Sequence, residues 1–312
     1  MLPVTYSLQK NKKGVHMKTK EQKELLAKCR HKAEIPVTVA AVILTMLFTG
    51  FVIFLFRSSG NNQWASDFLM NNLEYEEAEV KFALKCGRYI LIVIVIVLLL
   101  KLFWELFKNA GIAMVHDVPV EESYSPEVFR EYKECCGKLG ITKVPKLLLA
   151  TDKENLESTG ITIRSNRYLR MYLGVVEAAA CTEDDNLIRF EVLHDLADIA
   201  YNHYHYAVLI VTIAARWLPI VKNIYSRVMC YSSDRLTAEI MGKDECITVL
   251  LENYLQSAYE PDKREEYMNR LDRKLTPIEK LSEVFDNLST DTPSYLYRIR
   301  ALADDSNSGR II

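Results

Sequence analysis

Apolar residues are gathered in blocks along this chain rather than spread evenly. The first block, Ile35–Phe56, is 22 residues long and carries no formal charge, the length a helix needs to cross the hydrocarbon core of a bilayer. The second is continuous over Tyr89–Leu100, and Lys101 and Glu105 interrupt its extension to Phe107. Those two charges lie four apart near one end, where they can pair or snorkel to the interface. Two transmembrane helices are expected, over about 35–56 and 89–107.

After Lys108 the pattern shortens. Pro126 at a first helical position and Gly140 as a C-cap bound a helix. The apolar run Lys146–Ala150 and the two runs flanking Ser165-Asn166 within Gly160–Gly174 predict a small three-stranded antiparallel sheet with a hairpin near Asn166. A helix opens at Thr182, with Asp185 as a weak capping box. An apolar helix over Tyr206–Ile224, containing Arg216 and Pro219, reads as buried or membrane-skimming, because its longest apolar run is ten residues. Polar helices follow over roughly 231–258, 261–273 and 277–286, and a last one begins near Ser294. The expected class is α+β and mainly helical: two N-terminal spans, then a domain with a small antiparallel sheet.

Charge sets the topology. The 34 residues before the first span hold nine Lys/Arg, while the segment 57–88 holds four and a cluster of acids at Glu74–Glu79. The positive-inside rule then puts both termini in the cytoplasm, from a plasma or inner membrane. Residues 1–34 form a basic arm, expected to be mobile along an anionic lipid surface; 35–107 form the two-span anchor; 108–312 form the domain. The first span begins more than 30 residues in and lacks a small-residue cleavage site, which argues against a cleaved signal peptide. A net charge of −2 gives no footprint for nucleic acid, and the seven cysteines include no CxxC pair.

Candidate chemistry is concentrated in Phe190–Tyr204, FEVLHDLADIAYNHY. A zinc-peptidase HExxH helix presents two histidines four apart on one face, with a glutamate base after the first. Here those positions are His194, Asp195 and Asp198, so the spacing survives while the base shortens and the second imidazole becomes a carboxylate. A histidine in an apolar helix is more often a hydrogen-bonded core residue, so HDLAD by itself is a weak motif.

Two further matches lie downstream in the same order. Cys230-Tyr231-Ser232-Ser233-Asp234-Arg235 is similar to a helix that reads Glu-Tyr-x-x-Asp-Arg, and Asp291-Thr292-Pro293-Ser294 with Arg298-Ile299 is similar to a late His-Pro motif that starts a final helix. Together with the membrane anchor, the order of elements over about 120–305 resembles the HtpX and type I CAAX-prenyl-protease family of membrane zinc metallopeptidases. That resemblance implies a zincin-like domain. It places His194, Asp198 and Cys230 at the zinc-ligand positions, Asp195 at the general-base position, and Asp234 and His203 in support. It also departs from the family at four of those places: Asp195, Asp198, Cys230 and Thr292 stand where the family has Glu, His, Glu and His.

Zinc accepts imidazole, carboxylate and thiolate. A thiolate, however, weakens the metal as a Lewis acid, and an Asp base stops one methylene short, where a displacement of about 1 Å costs roughly 100-fold in rate. His203 and His205 offer no rescue, since on a continuous helix His203 faces away from His194. The expected function is a membrane-anchored pseudopeptidase that binds a polypeptide or membrane-protein partner, with zinc absent or weakly held. The alternatives are an active zinc endopeptidase with variant ligands and an unrelated helical membrane scaffold.

Overall fold

The computed structural model describes residues 20–61, 70, 77–115, 117–122, 126–150, 159–163, 166–172, 185–203, 205–255, 258–271, 276–304 and 309. Helix α1 spans Lys20–Cys29 and buries Leu26 and Cys29 in the main core. Tyr201 Oη donates to the Leu26 carbonyl at 3.1 Å, and Lys28 meets Glu239 at 2.7 Å. This part of the expected mobile arm is therefore built into the domain, because its apolar side has a buried surface to pack on. Residues 1–19 lie outside the described set.

Helices α2, Glu34–Asn61, and α3, Glu77–Val115, pack against one another. Among the described residues one helical stretch is long and apolar enough to cross a membrane, Glu34–Phe54, at 21 residues and mean hydropathy 2.5. The second expected span falls inside α3 and does not meet that test among the described residues.

Strand β1, Val118–Pro119, precedes α4, Pro126–Lys138. Pro126 does open this helix, and Gly140 closes it in the left-handed region with φ +62°. Ile141 N–H donates to the Cys136 carbonyl at 2.8 Å and Gly140 N–H to the Gly137 carbonyl at 3.0 Å, the bond pair of a Schellman stop, which favours glycine because it carries no Cβ. Tyr132, Cys135 and Cys136 form the buried face of α4. Burial pushes the thiols of Cys135 and Cys136 up to about 12.

Strands β2, Lys146–Ala150, β3, Thr159–Ile163, and β4, Asn166–Tyr172, complete a sheet of order β1-β2-β4-β3. The hairpin falls where expected, with Ile163 opposite Asn166. The sheet is mixed, however, rather than antiparallel throughout: β4 lies between β2 and β3 and runs parallel to β2, with Leu147 opposite Leu169. Four consecutive β4 residues, Tyr168 to Met171, are buried, as a central strand covered on both faces requires. Arg170 in β4 forks onto Asp117 through Nε at 2.5 Å and Nη2 at 2.9 Å.

The second half of the domain is helical. Helix α5, Asp185–Tyr201, is buried on nearly every side from Val192 to Tyr201 and packs on α4, β3 and β4. The expected apolar helix over Tyr206–Ile224 is divided into α6, Tyr206–Val211, and α7, Ile213–Trp217, with α8, Pro219–Met241, opening at Pro219. Proline has no N–H for an interior turn, so it starts a helix instead. Gly242, with φ +116°, separates α8 from α9, Lys243–Leu255, dividing the helix expected over 231–258. Then come α10, Arg264–Leu271, α11, Pro277–Ser289, and α12, Tyr295–Ala303. Thr276 and Glu279 form a complete capping box on α11, as their spacing predicts.

Candidate functional site

Helix α5 crosses α8 so that one face of each meets the other. Cys230 and Asp234 are four apart on α8 and both reach His194 of α5. His194 Nε2 lies 3.7 Å from Cys230 Sγ and 3.4 Å from Asp234 Oδ1, and Cys230 Sγ lies 4.0 Å from Asp234 Oδ2. Among the described residues these three form the one group of His, Cys and acidic side chains whose ligand atoms all lie within 4.8 Å of one another.

Asp198 is not part of that group. It shares the His194 side of α5 but its Oδ1 is held elsewhere, accepting from Ser233 Oγ at 2.5 Å and pairing with His203 Nδ1 at 2.8 Å. The position expected to supply the second ligand is therefore turned into a different network. His203 Nε2 continues it to Glu34 Oε1 at 3.3 Å, and Glu34 also accepts from Ser232 Oγ and pairs with Arg30 at 3.2 Å. Asp198, His203, Ser232 and Ser233 are all buried, as is Glu34 at the start of the apolar span. Burial works against the charge of both Asp198 and His203, but their mutual hydrogen bond and attraction outweigh it: the Asp198 carboxyl titrates below its ordinary range and the His203 imidazole above it.

A helix stop explains why His203 is misplaced by helical periodicity. Helix α5 ends at Tyr201, and Asn202 takes the left-handed conformation with φ +61°. His203 N–H donates to the Asp198 carbonyl at 3.0 Å and Asn202 N–H to the Ile199 carbonyl at 3.1 Å, the same Schellman pattern with asparagine in the glycine place. The chain doubles back and lays the His203 ring beside Asp198 and 5.1 Å from the Tyr201 ring.

Arg298 of α12 stood in the late motif match but was given no role in the site. Its guanidinium forks onto Asp234, Nη2 to Oδ1 at 2.6 Å and Nε to Oδ2 at 2.9 Å. It also lies 5.6 Å from the Phe190 ring, on which His194 stacks at 6.0 Å. The sequence signal was its place one helical turn after Ser294, in the segment matched to the late His-Pro motif. Thr292 itself uses its carbonyl to accept from the buried Arg227 at 3.4 Å.

The site is balanced electrostatically. Burial opposes the charge on His194, yet the neighbouring Asp195, Cys230 and Asp234 hold its imidazole well above the usual range. Arg298 is held charged by Asp234 in the same way, against the cost of burial. Glu191, beside them, is pushed up by burial and then by the Asp195 charge. Asp195 is 4% exposed and its Oδ1 lies 3.9 Å from His194 Nδ1, so the expected base is adjacent to the histidine but enclosed.

Ligand atoms around a tetrahedral zinc lie roughly 3.3–3.8 Å apart, given metal bonds of about 2.0–2.3 Å. One ligand atom from each of His194, Cys230 and Asp234 lies within 4.8 Å of the other two, a looser set that reaches this spacing only if the side chains draw in on the ion. The family set His194, Asp198 and Cys230 does not converge, because Asp198 is committed to Ser233 and His203. Comparison of the chain with protein-family models, with curated proteins and with solved structures gives no match.

Proposed function

We propose that this chain is a membrane-anchored, HtpX-like pseudopeptidase whose domain binds a polypeptide or membrane-protein partner without cutting it. The observation that carries the reading is the allocation of carboxylates. Asp198, at the second ligand position, closes a buried network with His203 and Glu34, while Asp234 is clamped by the Arg298 guanidinium. A hydrolytic zinc site needs three ligands, an open fourth position and a base aimed at the bound water. Here the base position, Asp195, is an enclosed short side chain, and a fixed cation already occupies one of the three carboxylate-bearing places.

A zinc ion bound by this chain would be held by His194, Cys230 and Asp234, and would supply a Lewis acid weakened by the thiolate. It would share Asp234 with Arg298, so weak retention is expected. Support for the polypeptide-binding part comes from the sheet. Strand β3 is the edge on one side of the order β1-β2-β4-β3 and packs beside α5. An edge strand can pair with an extended segment through backbone hydrogen bonds. By charge bias the domain faces the cytoplasm of a cell whose plasma or inner membrane holds α2.

The test is proteolysis and metal content of the full chain purified without added metal. The expected result is zinc well below one per chain and no chelator-sensitive cleavage of an unfolded polypeptide. Chelator-sensitive cleavage that disappears in Asp195→Ala would overturn the proposal in favour of an active endopeptidase with variant ligands.

A further inference from the structure

Helix α11 is amphipathic with its apolar stripe pointing away from the protein. Ile278, Leu281 and Phe285 are spaced three and four apart, which places them on one helix face. They are 78%, 59% and 65% exposed, whereas the opposite side carries the buried Asn287. A surface helix of a water-soluble domain turns such a stripe inward.

What covers the stripe follows from where α11 is fastened. Its C-terminal end is tied to the first half of α8: Asn223 Nδ2 donates to the Leu288 carbonyl at 2.8 Å, Lys222 pairs with Asp291 at 3.1 Å, and Arg227 reaches the Thr290 hydroxyl at 3.2 Å. Helix α8 and the preceding α7 both pack on α2. Trp217 sits edge-on to Phe48 with centroids 6.1 Å apart. Phe48 is fourteen residues past Glu34, so at 1.5 Å per residue the domain follows the apolar helix for about 21 Å. Over this length the outer face of α2 offers Ile35, Val39 and Ile43 to its surroundings, with no polar face turned to water. The α6–α8 elbow continues the apolar rim with exposed Val211, Leu218 and Ile220.

The charges at this rim are satisfied internally. Arg216 folds back onto the Thr212 hydroxyl at 3.3 Å and over the Tyr225 ring at 5.3 Å, and Lys222 is neutralised by Asp291. That is the arrangement expected beside lipid rather than in bulk water.

We infer that the domain lies in contact with the bilayer along α2, with the elbow and the outer stripe of α11 packed against lipid. This rests on the proposal that α2 crosses the membrane and goes beyond it, since an anchor can equally carry a domain clear of the surface. Helix α11 carries three acids, Glu279, Glu283 and Asp286, against one base, Lys280, so apolar burial and not attraction to anionic lipid drives the contact.

The test uses the full chain in nanodiscs of phosphatidylcholine. Single cysteines replace Leu281, Phe285 and, as an exposed control on α10, Glu265, and reaction with a membrane-impermeant maleimide is read peptide by peptide by mass spectrometry. Labelling at 281 and 285 is expected to be at least about tenfold slower than at 265. Equal rates overturn the inference. A second arm places a fluorophore in the stripe through Phe285→Trp and exchanges the lipid for its brominated form. Quenching of the added tryptophan supports lipid contact; slow labelling without quenching means that protein covers the stripe, which also overturns it. Neither arm depends on whether the His194 site binds metal or cuts peptides.

Discussion

Replacing Asp198 by asparagine separates the two roles this position could have. The substitution keeps the shape and a carbonyl oxygen for Ser233 but removes the charge that faces His203 Nδ1 at 2.8 Å. Breaking a buried ion pair by removing one partner costs about 3–5 kcal/mol. The loss here is reduced because Glu34 still faces His203 Nε2 at 3.3 Å, so about 2–3 kcal/mol is expected. For a domain of this size each kcal/mol moves Tm by roughly 2–4 °C, giving a fall of about 5–10 °C. The assay is thermal unfolding of the reconstituted protein, read by near-ultraviolet circular dichroism, alongside a titration with excess cobalt(II). Thiolate-to-cobalt absorption is expected in the parent chain, unchanged in Asp198→Asn and lost in Cys230→Ser. An Asp198→Asn protein with an unaltered Tm and no cobalt absorption would refute the reasoning, since Asp198 would then be a ligand and not a network residue.

Three other outcomes follow from the same geometry. Arg298→Met removes the cation that shares Asp234, so cobalt affinity should rise by at least about tenfold, equivalent to about 1.4 kcal/mol, even as stability falls; an unchanged titration would show that Arg298 does not compete. Asn202→Ala should cost about 1–2 kcal/mol because of the left-handed backbone at that residue, while Asn202→Gly should be near neutral in denaturant unfolding. For pH, the His203 pKa is raised on folding, so its contribution is fully present below about pH 6.5 and is lost as pH rises through the raised value. The Asp198 pKa is lowered, so its contribution is present above about pH 3.9 and is lost as pH falls through the lowered value. The stability difference between the parent and His203→Gln, followed by chemical denaturation across pH, should therefore be greatest on the acid side of neutrality and shrink in both directions; a difference that is flat with pH would contradict the pairing.

Much of the layout was legible in local pattern. The Pro126 start and Gly140 stop, the Thr276 capping box and the hairpin at Asn166 are each set by a few neighbouring residues and fall where expected, while the apolar run from Ile35 gives one candidate membrane helix among the described residues where two were expected. His194 and Cys230 lie 3.7 Å apart, because α5 packs against α8. Periodicity failed at His203, where one residue at φ +61° ends the helix and reverses the chain. It failed again at Asp198 and Asp234, since helical spacing places a carboxylate on a face but not its oxygens.

By itself, then, the sequence determined the candidate membrane helix, the succession of helices and strands, and the histidine around which the candidate site is built. These depend on hydrophobic runs, caps and turns that act within a few residues. Tertiary structure alone decided that β4 enters the sheet beside β2, that α1 joins the core, and that the apolar stripe of α11 faces outward. It also decided that Asp234, and not Asp198, turns to His194 and Cys230. Each of these is a choice between partners far apart in the chain. A carboxylate goes to whichever hydroxyl, imidazole or guanidinium packing brings within about 3 Å.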